Sequence, residues 1–174
     1  MNIRRKYHRY HKFDYSSVGY YFITICCYEQ KCLFGEISND EMILNEFGRI
    51  AFDEWEQIPT RFNDVSLDIF QIMPNHIHWI LIIKDRLFDS ENIKEINNIN
   101  KNHKNTIGDI IKAYKSIVFN KCLNICKSRN QYMGKLWQPN YYDHILRDSE
   151  AHYNIGNYIL NNPINWSEDD YFKA

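Results

Sequence analysis

The chain has 174 residues, 44% of them hydrophobic and 16% aromatic, which fits one globular domain, 1–174, able to bury a real core. It has no apolar run of about 18 residues, so no membrane span is expected. The basic N-terminus lacks the apolar stretch of a signal peptide, and a cytoplasmic location follows by default. Five cysteines without a Cys-x-x-Cys pair point to reduced thiols rather than a disulfide framework or a zinc knuckle. The net charge of −1 hides an asymmetry. Residues 1–13 carry Arg4, Arg5, Lys6, Arg9 and Lys12 with no acid, and residues 101–135 carry eight lysines and arginines against Asp109 alone. Residues 36–70 hold nine acids against Arg49 and Arg61. Such a distribution suggests basic surface on part of the molecule, although charge runs are equally often plain solvated faces.

In chain order, residues 1–17 read as a basic, aromatic-studded arm. Residues 19–28 are dense in Tyr, Phe, Ile and Thr and read as a strand. Residues 33–38 and 42–44 look like a second strand turning at Asn39-Asp40. Asn45 can cap a helix through Phe47, Ile50, Ala51, Trp55 and Ile58, stopping before Pro59. Residues 65–73 and 76–83 are two apolar runs split by Pro74-Asn75, as in a tight antiparallel pair. Residues 86–105 are dominated by Asn, Lys, Glu and Asp and read as a mobile surface excursion. Thr106-x-x-Asp109 resembles a capping box, and Ile107, Ile110, Ile111, Tyr114, Ile117, Val118, Cys122 and Ile125 make the apolar stripe of a long helix. Lys112, Lys115 and Lys121 lie off that stripe. Asp148 or Ser149 can cap a last helix that Pro163 ends. The pattern predicts an α+β fold, an antiparallel sheet with packed helices compatible with a ferredoxin-like (RRM-like) core.

The densest chemistry lies at Met73-Pro74-Asn75-His76-Ile77-His78. In an extended strand His76 and His78 point to one face and Ile77 to the other. Two imidazoles on one face of a strand are half of a divalent-metal site, though they can equally be satisfied core or surface residues. A histidine-triad hydrolase would need a third alternating histidine, and that position is Ile80. On the last helix Tyr158 and Asn162 are i,i+4 and share a face. A tyrosine and an amide oxygen there can both address a metal-bound phosphate, although most tyrosines at such positions merely pack.

Several blocks together carry a resemblance. Met73-Pro74-Asn75-His76-Ile77-His78 resembles the HUH motif of single-tyrosine transposases. Trp137-Gln138-Pro139-Asn140-Tyr141-Tyr142-Asp143-His144-Ile145-Leu146-Arg147 and Tyr158-Ile159-Leu160-Asn161-Asn162-Pro163 are similar to two further blocks of one branch, the REP-associated tyrosine transposases. Phe13-Asp14-Tyr15-Ser16-Ser17, Cys32-Leu33-Phe34-Gly35-Glu36, Asn45-Glu46-Phe47-Gly48-Arg49 and residues 108–116 extend the similarity in order over nearly the whole chain. The resemblance implies that His76 and His78 are the metal pair, Tyr158 the nucleophile, and Asn162 a third, amide-bearing ligand. It implies a phosphate contact for His144 and Arg147, and either site support or DNA contact for Trp137 and Gln138. Residues 86–105 match nothing in the branch.

The expected activity is therefore that of a metal-dependent DNA strand transferase acting on single-stranded or hairpin DNA. Mg²⁺ or Mn²⁺ would be the cofactor and a 5′-phosphotyrosine the intermediate. Phosphate contacts would come from Arg4, Arg5, Lys6 and Arg9 of the arm and from Lys112 and Lys115, with aromatic stacking on unpaired bases. Two alternatives stay open: a cleavage-inactive DNA-binding protein of transposase descent, and a metal-dependent phosphoesterase that uses water. A homodimer is compatible with the broader superfamily and a monomer with the branch.

Overall fold

The computed structural model describes residues 16–84 and 105–172. Most of the arm, with Arg4, Arg5, Lys6 and Arg9, and residues 86–104 of the predicted excursion lie outside the described residues. The described chain begins with strand β1 (Gly19–Cys26), followed by a hairpin of β2 (Gly35–Ser38) and β3 (Glu41–Leu44). Asn39 and Asp40, at φ 51° and 64°, supply the two left-handed residues that this two-residue turn requires. Asn45 caps α1 (Glu46–Glu56), its side chain accepting from Gly48 N at 3.0 Å. Gly48 is required there, because a Cβ would stand 2.2 Å from Phe34 O.

Pro59 does not simply end the helix, as its position suggests. It enters the first turn of a short second helix, α2 (Ile58–Arg61), where its missing N–H costs nothing. Strands β4 (Val65–Ile72) and β5 (His76–Ile83) then pair antiparallel on either side of Pro74-Asn75. Helix α3 (Ile107–Ser128) starts at the predicted capping box, with Thr106 Oγ1 and Asp109 Oδ2 exchanging bonds to each other's backbone N–H. Strand β6 (Tyr142–Leu146) follows, and then α4 (Ser149–Asn161), capped by Asp148 and ended at Asn162-Pro163.

The main sheet runs β4-β5-β1-β6, antiparallel throughout. Leaving out the β2–β3 hairpin, the short α2 and the C-terminal α4, the order is strand-helix-strand-strand-helix-strand with the first and third strands in the centre. That is the ferredoxin-like arrangement. The fourth strand, β6, has no counterpart in the elements read from the sequence.

Period-two alternation sorts the side chains. Tyr21, Ile23 and Ile25 of β1 and Ile77, Trp79, Leu81 and Ile83 of β5 face α1 and α3 and form the main core with Ile107, Ile110, Tyr114 and Val118. Phe22 of β1, Ile80 of β5 and Leu146 of β6 face the other way, against Ile155 and Ile159 of α4. His76 and His78 are on this second face, in step with Ile80. Helix α4 comes close to the sheet at Gly156, where a Cβ would meet Ile69 Cδ1 at 2.6 Å. No described helix is long and apolar enough to cross a membrane.

Candidate active site

His76 and His78 are both buried, and their Nε2 atoms stand 3.0 Å apart. Each ring is fixed through its other nitrogen. Buried Asn75 donates from Nδ2 to Gln30 O at 3.2 Å and to Tyr171 O at 2.7 Å, so its Oδ1 faces His76 Nδ1, at 2.8 Å, as an acceptor. His76 therefore carries its proton on Nδ1 and turns the Nε2 lone pair toward His78. His78 Nδ1 lies 2.9 Å from Thr24 Oγ1, its cross-strand partner on β1. Burial pushes the His76 pKa down to about 4, against the opposing pull of the Asp169 charge and the Asn162 side chain. The ring is thus neutral near pH 7, as a metal ligand must be.

Asp169 completes the cluster. It follows a 3₁₀ turn (Trp166–Glu168) that folds the chain back from α4 over the histidines. One carboxylate oxygen and the two imidazole nitrogens all lie within 4.8 Å of one another. Asp169 Oδ1 accepts from Tyr171 N at 2.6 Å, and Oδ2 accepts from Asn162 Nδ2 at 2.6 Å. The other amide atom, Asn162 Oδ1, is buried and faces the His76 ring, and among the described residues no group lies in full hydrogen-bond geometry to it. A buried, incompletely satisfied acceptor beside two imidazoles and a carboxylate is the environment that a cation satisfies. The donor set therefore fits a divalent ion, with Asp169 added to the three residues expected from the sequence.

Tyr158 is 42% exposed. Its hydroxyl lies 3.3 Å from His78 Nε2 and donates to Asp169 Oδ2 at 3.5 Å. Tyr153 is 67% exposed and rotated away on the same helix, as the helical period requires. Tyr158, Asn162, His78 and Asp169 line an open cleft of about 750 Å³ between α4, the sheet and the C-terminal segment.

The remaining expected residues are distributed more widely. His144 is exposed on edge strand β6, paired with Phe22 and so on the histidine face of the sheet. Arg147 lines a separate cleft with Asp68 and His152 at the start of α4. Trp137 packs on the other side, against Phe34 and the main core, with Nε1 donating to Lys115 O at 2.9 Å. Gln138 N donates to Cys26 O at 2.9 Å, which ties that block to the end of β1. Lys115 turns inward, donating to Gln138 O at 2.5 Å and Asn140 O at 3.2 Å, and burial lowers its pKa to about 8. Lys112 is exposed on α3.

Asp169, Asn75 and Thr24 are the site residues that sequence reasoning did not single out. Asn75 stood inside the quoted motif. Asp169 had no periodic relation to any other ligand.

No protein-family model matches the chain. Over 164 residues it is 38% identical to an uncharacterized protein of Haemophilus influenzae, covering 92% of this chain and 88% of that one. The two proteins belong to one family. Among solved structures, a REP-associated tyrosine transposase bound to a REP hairpin superposes with TM-score 0.61 at 14% identity, over 92% of this chain and 73% of the transposase. The chain thus shares its fold with a tyrosine transposase.

Proposed function

We propose that this protein is a DNA strand transferase of the REP-associated tyrosine transposase type, acting on single-stranded or hairpin DNA. The observation that carries this reading is the approach of the Tyr158 hydroxyl to within 3.3 Å of His78 Nε2, beside a carboxylate and a second imidazole. The order of motif blocks, the shared fold and the hairpin bound by the structural relative support it.

His76, His78, Asp169 and Asn162 would hold the divalent ion, Mg²⁺ or Mn²⁺, which when bound polarises a non-bridging oxygen of the scissile phosphate. Tyr158 attacks phosphorus in line. The bond from phosphorus to the 3′ oxygen breaks, leaving a 3′-hydroxyl, and a 5′-phosphotyrosine bond forms in its place. The reaction keeps the number of phosphoester bonds constant, so a 3′-hydroxyl can reverse it without ATP. A free tyrosine has a pKa of about 10, so its proton must be drawn off as the new bond forms. Asp169 Oδ2 at 3.5 Å gives that proton an anionic acceptor. Asn75 and Thr24 keep the two imidazoles in register for the phosphate.

The test is incubation with labelled hairpin oligonucleotides from the flanking genome in Mn²⁺, followed by denaturing electrophoresis. A covalent protein–DNA band is expected. DNA retention without cleavage would make the protein a DNA-binding descendant of a transposase. Cleavage to a free 5′-phosphate without an adduct would make it a water-using phosphoesterase.

A further inference from the structure

A further cleft, of about 410 Å³, lies at the end of the sheet that holds His76, between the turn that follows β1 and the loop joining α3 to β6. Its lining is apolar at Leu33, Phe47 and Leu136, cationic at Lys31 and Lys135, and free of Asp and Glu among the described residues. Tyr132 borders it with 96% of its surface exposed. A ring left in water contributes nothing to the core, so packing does not explain it.

Both lysines gather on one ring. Lys135 Nζ stands 4.9 Å from the Tyr28 ring centroid and Lys31 Nζ 6.0 Å from it. Two ammonium groups brought together repel, and an anion beside them removes that cost. Glu29 lies 3.0 Å from Lys31 Nζ, but both side chains of that pair are more than half exposed, so a phosphate displaces it at little cost. The turn that brings Lys31 here is strained. Glu29 and Gln30 take φ values of 56° and 54°, left-handed conformations that favour glycine. Asn75 Nδ2 helps to hold the turn, donating to Gln30 O at 3.2 Å, and the same side chain fixes His76. On the opposite wall Tyr28 N donates to Leu136 O and Gln138 N to Cys26 O, each at 2.9 Å. Cys26 stands opposite His76 in the sheet, so Tyr28 is only about 7 Å of chain past the position facing that ligand.

Resting on the strand-transferase reading, we propose that this cleft takes the unpaired DNA strand where it leaves the metal site. A base stacks on Tyr132, and an adjoining phosphate lies against Lys31 and Lys135. Lysines without acids suit a phosphate chain, and an exposed aromatic ring suits the face of an unpaired base whatever its identity. Duplex DNA keeps its bases stacked on one another and offers Tyr132 no such face.

The test measures binding of labelled oligothymidylate, and of a fully paired duplex of equal length, in Mn²⁺, using the full chain with Tyr158→Phe to prevent cleavage. Adding Tyr132→Ala should weaken oligothymidylate binding about fivefold or more and leave duplex binding within about twofold. Tyr132→Phe, which keeps the ring, should stay within about twofold on both probes. Lys31→Gln with Lys135→Gln should lower the salt slope for oligothymidylate by about 1.4, since each contact to a single strand contributes about 0.7. Tyr132 is exposed, so its truncation leaves the fold intact. Unchanged oligothymidylate affinity without the ring, an equal loss on the duplex, or an unchanged salt slope without the lysines overturns the assignment. So does sedimentation of the DNA-free chain as a dimer that Tyr132→Ala dissociates, which would give the cleft to a second copy. Adduct formation by the chain with Tyr158 intact is scored separately. Tyr132-dependent binding without an adduct keeps the cleft assignment and removes the strand-transferase reading, and an adduct with Tyr132-independent binding does the reverse.

Discussion

Tyr158 Oη and His78 Nε2 meet at 3.3 Å although 80 residues separate them in sequence. Strand β5 presents His78 on the face that α4 covers, and the Gly156 contact with Ile69 lets α4 lie close enough for the phenol to reach the imidazole. The meeting of the two side chains is therefore a consequence of helix-on-sheet packing, with neither residue on a loop.

Removing only the phenol oxygen isolates the chemistry. Tyr158→Phe keeps the ring edge-on to Phe22, at 6.3 Å between centroids, and the residue is partly exposed. Its stability should change by no more than about 0.5 kcal/mol. DNA and Mn²⁺ binding should persist in gel-shift and calorimetric assays, while the covalent adduct disappears. An adduct on the variant, or peptide mapping of the wild-type adduct to another tyrosine such as Tyr153, would mean the nucleophile is misassigned.

The metal set makes a graded prediction. His78→Ala removes a ligand from a rigid strand and should abolish detectable Mn²⁺ binding along with cleavage. Asp169→Ala should weaken binding by about tenfold or more, because it removes the carboxylate and also frees Asn162 Nδ2. Asn162→Ala should be milder, since its Oδ1 is one neutral ligand. Titration calorimetry ranks the three. An Asp169→Ala protein with wild-type Mn²⁺ affinity would restrict that residue to holding the tail through Tyr171 N.

Much of this site can be read from the chain because local periods govern it. Period two puts His76 and His78 on one face, and i,i+4 spacing puts Tyr158 above Asn162 on α4. The caps at Asn45, Thr106 and Asp148 are likewise local, and each is found where the sequence places it. What escapes is long-range. Strand β6 has five residues, two of them Asp143 and His144, and exists only because β1, far back in the chain, offers its free edge. Asp169 reaches the histidines through a 3₁₀ turn and a carboxylate–amide bond to Asn162, neither of which has a period. Pro59 misleads because the same residue that interrupts a helix also suits the first turn of the next one.

Away from the cleft, Glu54 ties α1 to α2 and α3. It is 1% exposed, bonded to Arg61 Nη2 at 2.6 Å and paired with Lys121. Burial pushes its pKa up, but the hydrogen bonds from Lys121 and Arg61, together with their charges, outweigh it and hold the pKa below the usual value of 4.5. A depressed carboxylate pKa contributes stability above the unfolded value, and that contribution is lost as pH falls through the folded one. Glu54→Gln should cost about 1–3 kcal/mol in denaturant titrations at pH 7. The difference between variant and wild type should shrink as pH is lowered below about 4.5. A constant difference across that range would show that the carboxylate charge contributes nothing to the link.

His76 gives a pH dependence in a different window. Burial lowers its pKa from 6.5 to about 4, so folding favours the neutral ring. In the metal-free protein that preference costs no stability above pH 6.5, where the ring is neutral in both states. Below 6.5 the unfolded chain takes up a proton that the folded chain refuses, so stability falls steadily until the folded ring protonates near pH 4. Mn²⁺ binds only the neutral ring, so saturating metal should raise the melting temperature most near pH 7 and progressively less toward pH 5. His76→Leu, similar in bulk and unable to titrate, should flatten the metal-free stability profile between pH 6.5 and pH 4, leaving a slope only from the remaining groups. Thermal melts of both proteins across that interval, with and without Mn²⁺, decide the matter. Parallel profiles in the absence of metal would mean that the ring is not held neutral by its burial.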